Sequence, residues 1–150
     1  MRSTRMNLCA LTILGAIALA VPNSAHPAQA AAAVDTPDSG VSATIEGLVR
    51  DVACPMQNHN STATHFNLKC AQACARAGSP LIILTRSDDI YFPMTDQMPD
   101  HSVRDQLVPY VGKFVRVTGT VYRRNGTRTI VIRAISVVKG VKLDTNLGDD

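Results

Sequence analysis

Phe114-Val115-Arg116-Val117-Thr118-Gly119-Thr120-Val121-Tyr122, followed by Arg123-Arg124-Asn125-Gly126-Thr127 and then by Arg128-Thr129-Ile130-Val131-Ile132-Arg133-Ala134-Ile135-Ser136-Val137-Val138, decides the fold class. Val115, Val117, Gly119 and Val121 alternate with polar partners, the period of a strand with one buried face. The second run alternates in the same way, and Asn125-Gly126 between them is the strongest two-residue hairpin signal, because both turn positions need a positive φ. The stretch therefore predicts a long antiparallel hairpin, entered through a turn at Tyr110-Val111-Gly112-Lys113.

Working back from it, Pro99 to Leu107 carries Val103, Leu107 and Val108 at helical spacing, with Pro109 closing the pattern. Leu81-Ile82-Ile83-Leu84 is a compact apolar run between Pro80 and Arg86-Ser87-Asp88-Asp89, and Ile90-Tyr91-Phe92-Pro93 returns after that turn. Val41, Ala43 and Ile45, then Leu48 and Val49 after a shift at Gly47, make an opening strand with a bend or bulge at the glycine. Phe66 to Ala77 reads as a short helix: Asn67 or Thr64 caps it, four alanines favour it, and Gly78-Ser79-Pro80 stops it. The expected architecture is mainly β: a five-stranded OB-like Greek-key barrel over residues 41–139, with one short helix in the Cys54–Cys74 insertion and one before strand 4. An SH3-like barrel is the competing reading, and it would not need the helix at Pro99 to Leu107.

The remaining segments are read as peripheral. Arg2 and Arg5 precede an apolar run from Leu8 to Val21, and Ala28-Gln29-Ala30 has the small-x-small form of a cleavage site, so residues 1–30 are expected to be a signal peptide. The run is too short to span a bilayer, so no membrane anchor is expected after cleavage. Residues 31–40 have almost nothing to bury and read as a disordered mature N-terminus, and residues 140–150 read as a flexible tail. The full chain carries a net charge of +3, but without Arg2 and Arg5 it has 13 basic against 12 acidic groups, or +1. A nearly neutral domain offers no electrostatic case for a nucleic-acid partner, and no other partner is legible. Arg116, Arg123, Arg124, Arg128 and Arg133, near Tyr91, Phe92 and Tyr122, could in principle track and stack a single strand, but solvent-facing strand positions explain them more simply.

The chemistry concentrates between Cys54 and Cys74. Cys54, Cys70 and Cys74 lie there with His59 and His65, and export would put these thiols in an oxidising compartment. Cys70 and Cys74, four apart on one helical face, can converge on an ion. With Cys54 as a third ligand and His65 or His59 as a fourth, they would form a closed Cys3His site of the structural zinc kind. All-soft donors also suit copper(I), with Met56, Met94, Met98 and His101 as further soft groups. A blander reading is a ligand- or partner-binding module whose loop is stapled by a disulfide, with a spare thiol. Cβ atoms at i and i+4 stand roughly 5–6 Å apart, beyond the roughly 3.5–4.5 Å a disulfide wants, so Cys54 would have to be one partner. A thiol oxidoreductase is a third reading, weakened because Cys-x-x-x-Cys is not the thioredoxin-like Cys-x-x-Cys. Asp88-Asp89 and Asp149-Asp150 read as a turn and a chain end rather than as catalytic carboxylates. No enzymatic constellation emerges, and no catalytic residue is assigned.

Gly47-Leu48-Val49-x-Asp51-x-x-Cys54, His65, Cys70-Ala71-x-x-Cys74-x-x-x-Gly78-x-Pro80 and Pro109-Tyr110-Val111-Gly112-Lys113-x-Val115-x-Val117-x-Gly119-x-Val121 together resemble a group of small exported bacterial domains of OB-like type. The resemblance spans about residues 45–138. It implies a barrel, and Cys54, His65, Cys70 and Cys74 as the metal-site residues.

Overall fold

A computed structural model describes residues 40–148. The expected signal peptide, nearly all of the expected mature N-terminus and Asp149-Asp150 lie outside the described residues. Five strands alternate with short helices in the order β1 (Val41–Asp51), α1 (Ala53–Gln57), α2 (Leu68–Arg76), β2 (Leu81–Leu84), β3 (Ile90–Met94), α3 (Arg104–Leu107), a 3-10 turn (Val108–Tyr110), β4 (Phe114–Arg124) and β5 (Thr127–Val137). They close into a barrel in the spatial order β1-β2-β3-β5-β4. Only β3 and β5 run parallel. This is an OB-like barrel, as the sequence led us to expect, and closure gives each of the five strands a neighbour on both sides.

The β4–β5 hairpin turns at Asn125-Gly126, both with positive φ, at 51° and 73°. Its register shifts between Thr118 and Gly119. A side chain at Gly119 would collide with the carbonyl oxygen of Val131, so the bulge and the glycine go together. β1 is the strand that bends the sheet into a barrel. Its first part pairs with β4 from Val41 to Leu48, its last part pairs with β2 from Leu48 to Asp51, and Leu48 belongs to both ladders. At the change of partner, a Cβ on Gly47 would lie 2.5 Å from the backbone oxygen of Leu84. The backbone cannot yield as a side chain tip can. Gly47→Ala should therefore destabilise the domain by at least the roughly 1–3 kcal/mol typical of overpacking, read as a lower urea midpoint at an unchanged slope.

Two cores explain why β2 reads as continuously apolar. Val49, Leu81, Ile83, Tyr91, Val115, Val117, Val121 and Ile130 fill the barrel interior. Leu48, Ile82, Leu84 and Phe114 point the other way and are covered by Ala63, Phe66 and Ala71 of the insertion between β1 and β2. With both faces covered, all four residues of β2 are buried, the situation in which alternation disappears. A fully buried side chain such as Phe66 stabilises by about 1.5–3 kcal/mol relative to its exposure. The insertion is thus fastened to the barrel wall as a second layer.

Two expectations are corrected. The region before β4 holds only one turn of α-helix, Arg104–Leu107, and Pro109 lies inside the following 3-10 turn rather than ending a longer helix. Residues 140–148 are not a free tail. Leu143 and Val141 pack against the outer core, and Asp144 to Leu147 run beside the insertion. Phe66 and Leu68 donate their amides to the carbonyls of Asp144 and Thr145, and Asp144 and Leu147 donate theirs to Thr64 and Phe66. The polar composition of the segment hid the backbone bonding, which needs no particular side chain.

Candidate metal centre

Each cysteine is placed by a local device. β1 ends at Asp51, whose carboxylate accepts the amide of Cys54 at 2.8 Å and starts the short helix α1. Asn67 caps α2, its side-chain oxygen accepting the amide of Cys70 at 2.8 Å. The same Asn67 donates its side-chain amide to the carbonyl of Leu147 at 2.9 Å. The residue that begins the cysteine-bearing helix therefore also holds the C-terminal segment. Cys74 follows Cys70 by about one turn of α2.

The result is a convergence of three sulfurs. Cys54 Sγ lies 3.3 Å from Cys70 Sγ, and the Sγ atoms of Cys54, Cys70 and Cys74 all lie within 4.8 Å of one another. All three are thiols, Cys70 exposed and the other two half-buried. They are close enough to hold one metal ion, which at Zn–S distances of about 2.3 Å spaces its thiolates about 3.8 Å apart in tetrahedral geometry. His65 and His59 are not in this group. His65 Nε2 stands 3.7 Å from Asp144 Oδ2, facing the C-terminal segment, and His59 is exposed in the loop after α1. Met56 is exposed on α1, while Met94 ends β3 and Met98 and His101 follow it on the way to α3.

The floor of the site is charged and dry. Arg50 and Asp51, both 0% exposed, are adjacent in β1, with Arg50 Nη2 3.6 Å from Asp51 Oδ1. Arg50 donates to Ser61 Oγ at 2.8 Å and lies 5.6 Å from the centroid of the Phe66 ring. Its Nε and Nη2, and Asp51 Oδ1, have no hydrogen-bond partner. This pair is the feature that sequence reasoning missed: Asp51 stood only as one position of the quoted motif, and Arg50 drew no notice. Beside it, a cavity of about 320 Å³ is bounded by Arg50, Cys54, Asn58, Ser61, Asn67 and Cys70 among others, and by Leu147 and Gly148 of the C-terminal segment.

Burial, first of all, pushes the Cys54 thiol up to about 12, helped by hydrogen bonding to Cys70 and Asp51 and by the Asp51 charge. Burial and then the Asp51 charge also raise the Cys74 thiol. Such a site resists a bare thiolate and favours a cation that replaces the protons. It also makes Cys54 and Cys74 poor nucleophiles at neutral pH, which tells against a rapid thiol oxidoreductase. The pH consequence has a definite sign. An unfolded thiol ionises around its usual value of 9.0, whereas folded Cys54 keeps its proton to about 12. Its contribution to stability is thus fully present below pH 9 and lost as pH rises toward 12. In reducing, metal-free buffer the urea midpoint should fall more between about pH 8 and pH 11 for the native chain than for Cys54→Ser.

The strand arginines are largely occupied. Arg116 pairs with Glu46 at 2.6 Å, Arg128 with Asp89 at 3.1 Å and Arg133 with Asp96 at 2.6 Å. The Arg133 hydrogen bond and charge hold the Asp96 carboxyl below the usual range. Tyr91 is buried in the barrel interior and offers no stacking face. No described helix is long and apolar enough to cross a membrane. No protein-family model, curated protein or solved structure matches this chain.

Proposed function

We propose that this is an exported, non-enzymatic OB-like domain that binds one thiophilic metal ion through Cys54, Cys70 and Cys74. The observation that carries the reading is the mutual approach of three sulfurs, from two separate helices, within 4.8 Å. Zinc fits as the ion if a water or an outside ligand completes its usual four positions, since the cluster supplies three. Copper(I) fits the all-sulfur donor set without a fourth ligand. Export is supported by the charged, apolar and small-residue pattern of residues 1–30. Metal analysis with thiol titration of protein secreted from a host and purified without chelator tests the reading. About one ion per chain and no titratable thiol until the ion is removed are expected. No metal, two oxidised cysteines and one free thiol would sink it, and zinc and copper(I) competition would name the ion.

The 3.3 Å approach of Cys54 and Cys70 favours a second reading, a disulfide that staples the insertion to the end of β1. A bond between residues 16 apart would stabilise by about 3 kcal/mol through the unfolded chain. On that reading Cys74 is a bystander, and Cys74→Ser changes neither stability nor binding.

A further inference from the structure

The three sulfurs are not equivalent. Cys54 and Cys70 are 3.3 Å apart and approach from different helices, so neither backbone has to unwind for their sulfurs to meet. Cys70 and Cys74 share α2, where a mutual bond would distort the turn that Asn67 caps. Cys70 is the exposed member, and the cavity of about 320 Å³ opens against Cys54 and Cys70 but not against Cys74. Its walls combine the side-chain amides of Gln57, Asn58 and Asn67 and the Ser61 hydroxyl with the Arg50 guanidinium and apolar surface that includes Leu147. That is room for a small molecule placed against the pair whose sulfurs approach to 3.3 Å.

We propose that the centre is a redox-gated metal site whose oxidant is a low-molecular-weight disulfide received in this cavity. The inference rests on the metal-binding reading above. The thiolate of Cys70 attacks one sulfur of the small disulfide, forming a mixed disulfide and releasing one small thiolate. Cys54 Sγ, already a thiolate because the ion has displaced its proton, then attacks Cys70 Sγ, the Cys54–Cys70 bond forms, and the second small thiolate leaves. Two metal-bound thiolates are oxidised to one protein disulfide, the small disulfide is reduced to two thiolates that take their protons from solvent, and the ion leaves as the free dication. Two of the three metal ligands are consumed, and Cys74 alone cannot retain the ion. Metal loading and oxidation are then alternative states of one site, and the small thiol–disulfide balance decides between them.

Zinc-loaded, full-length mature protein should be treated with glutathione disulfide, with zinc release followed by a chromophoric chelator and the bonds mapped on digested, alkylated protein. The expected result is release of the zinc with a single Cys54–Cys70 bond, restored by reduced glutathione. Affinity for zinc should drop beyond the roughly 100-fold seen on losing a supporting partner. Cys74→Ser should still form the Cys54–Cys70 bond, and Cys70→Ser should form none. A bond involving Cys74, a stable mixed disulfide, a crosslink between chains or zinc retained after oxidation would each overturn the proposal. If the reduced protein takes up no zinc or copper(I), the metal reading itself has failed and the gating falls with it, while the bond map still reports which cysteines pair.

Discussion

Chelating the metal from the loaded domain should lower its melting temperature by about 10 °C. The size follows from mass action: an ion held at 100 times its dissociation constant, with no affinity for the unfolded chain, stabilises by about 2.7 kcal/mol. For a domain of this size each kcal/mol moves the midpoint by about 4 °C. The shift should vanish in Cys54→Ser and in Cys74→Ser alike, because each leaves two sulfurs. Both variants should fold, since the cysteines sit on α1 and α2 outside the barrel core and neither core includes a cysteine. Reducing conditions are needed, so that the Cys54–Cys70 approach does not convert the Cys74→Ser variant into a disulfide. A metal-dependent shift that survives both substitutions would place the ion elsewhere in the chain.

Asp51→Asn should change stability and thiol reactivity in opposite directions. Removing the carboxylate charge leaves Arg50 buried at 0% exposure with two nitrogens already lacking partners. Breaking a buried pair in this way costs about 3–5 kcal/mol, a large share of the 5–15 kcal/mol that holds a typical domain together. The same change removes a negative charge and a hydrogen bond that help keep Cys54 protonated. Alkylation of Cys54 should therefore accelerate at a given pH, with its ionisation displaced downward. The asparagine oxygen can still accept the Cys54 amide, so α1 need not be lost. A fall in stability below about 1 kcal/mol would show that Asp51 does not compensate Arg50, and an unchanged alkylation profile would separate it from the thiols.

What could be read from the chain was what is local. Val115 to Val121 and Ile130 to Val137 each carry their own period, and Asn125-Gly126 carries its own backbone requirement, so the hairpin was legible without any partner. Asn67, four residues ahead of an alanine-rich stretch, announced α2 for the same reason. The three cysteines were visible as a cluster because they fall within 21 positions. Their selection over the histidines was not. Whether His65 faces the sulfurs depends on the strand-like bridge between residues 65 and 144, a contact set by residues far away in the chain. Nothing local to Arg50 and Asp51 signals burial, which Arg50 gains from Ser61 and Phe66 of the insertion laid over β1. The continuous apolar run of β2 signalled burial on both faces, without saying that the outer cover is the cysteine insertion.

The bonding of Asp144 to Leu147 along the insertion bears on how the protein can be handled. Leu147 and Gly148 help line the cavity beside Cys54 and Cys70. Anything joined after them leaves from beside the cavity that Cys54 and Cys70 line. A polyhistidine extension there would deliver imidazoles beside the three sulfurs and supply the Cys3His ligand set that His59 and His65 do not complete. Trimming the chain back to Val138 would strip the carbonyls that receive the Phe66 and Leu68 amides and loosen the start of α2. Affinity handles therefore belong ahead of β1 rather than after Gly148.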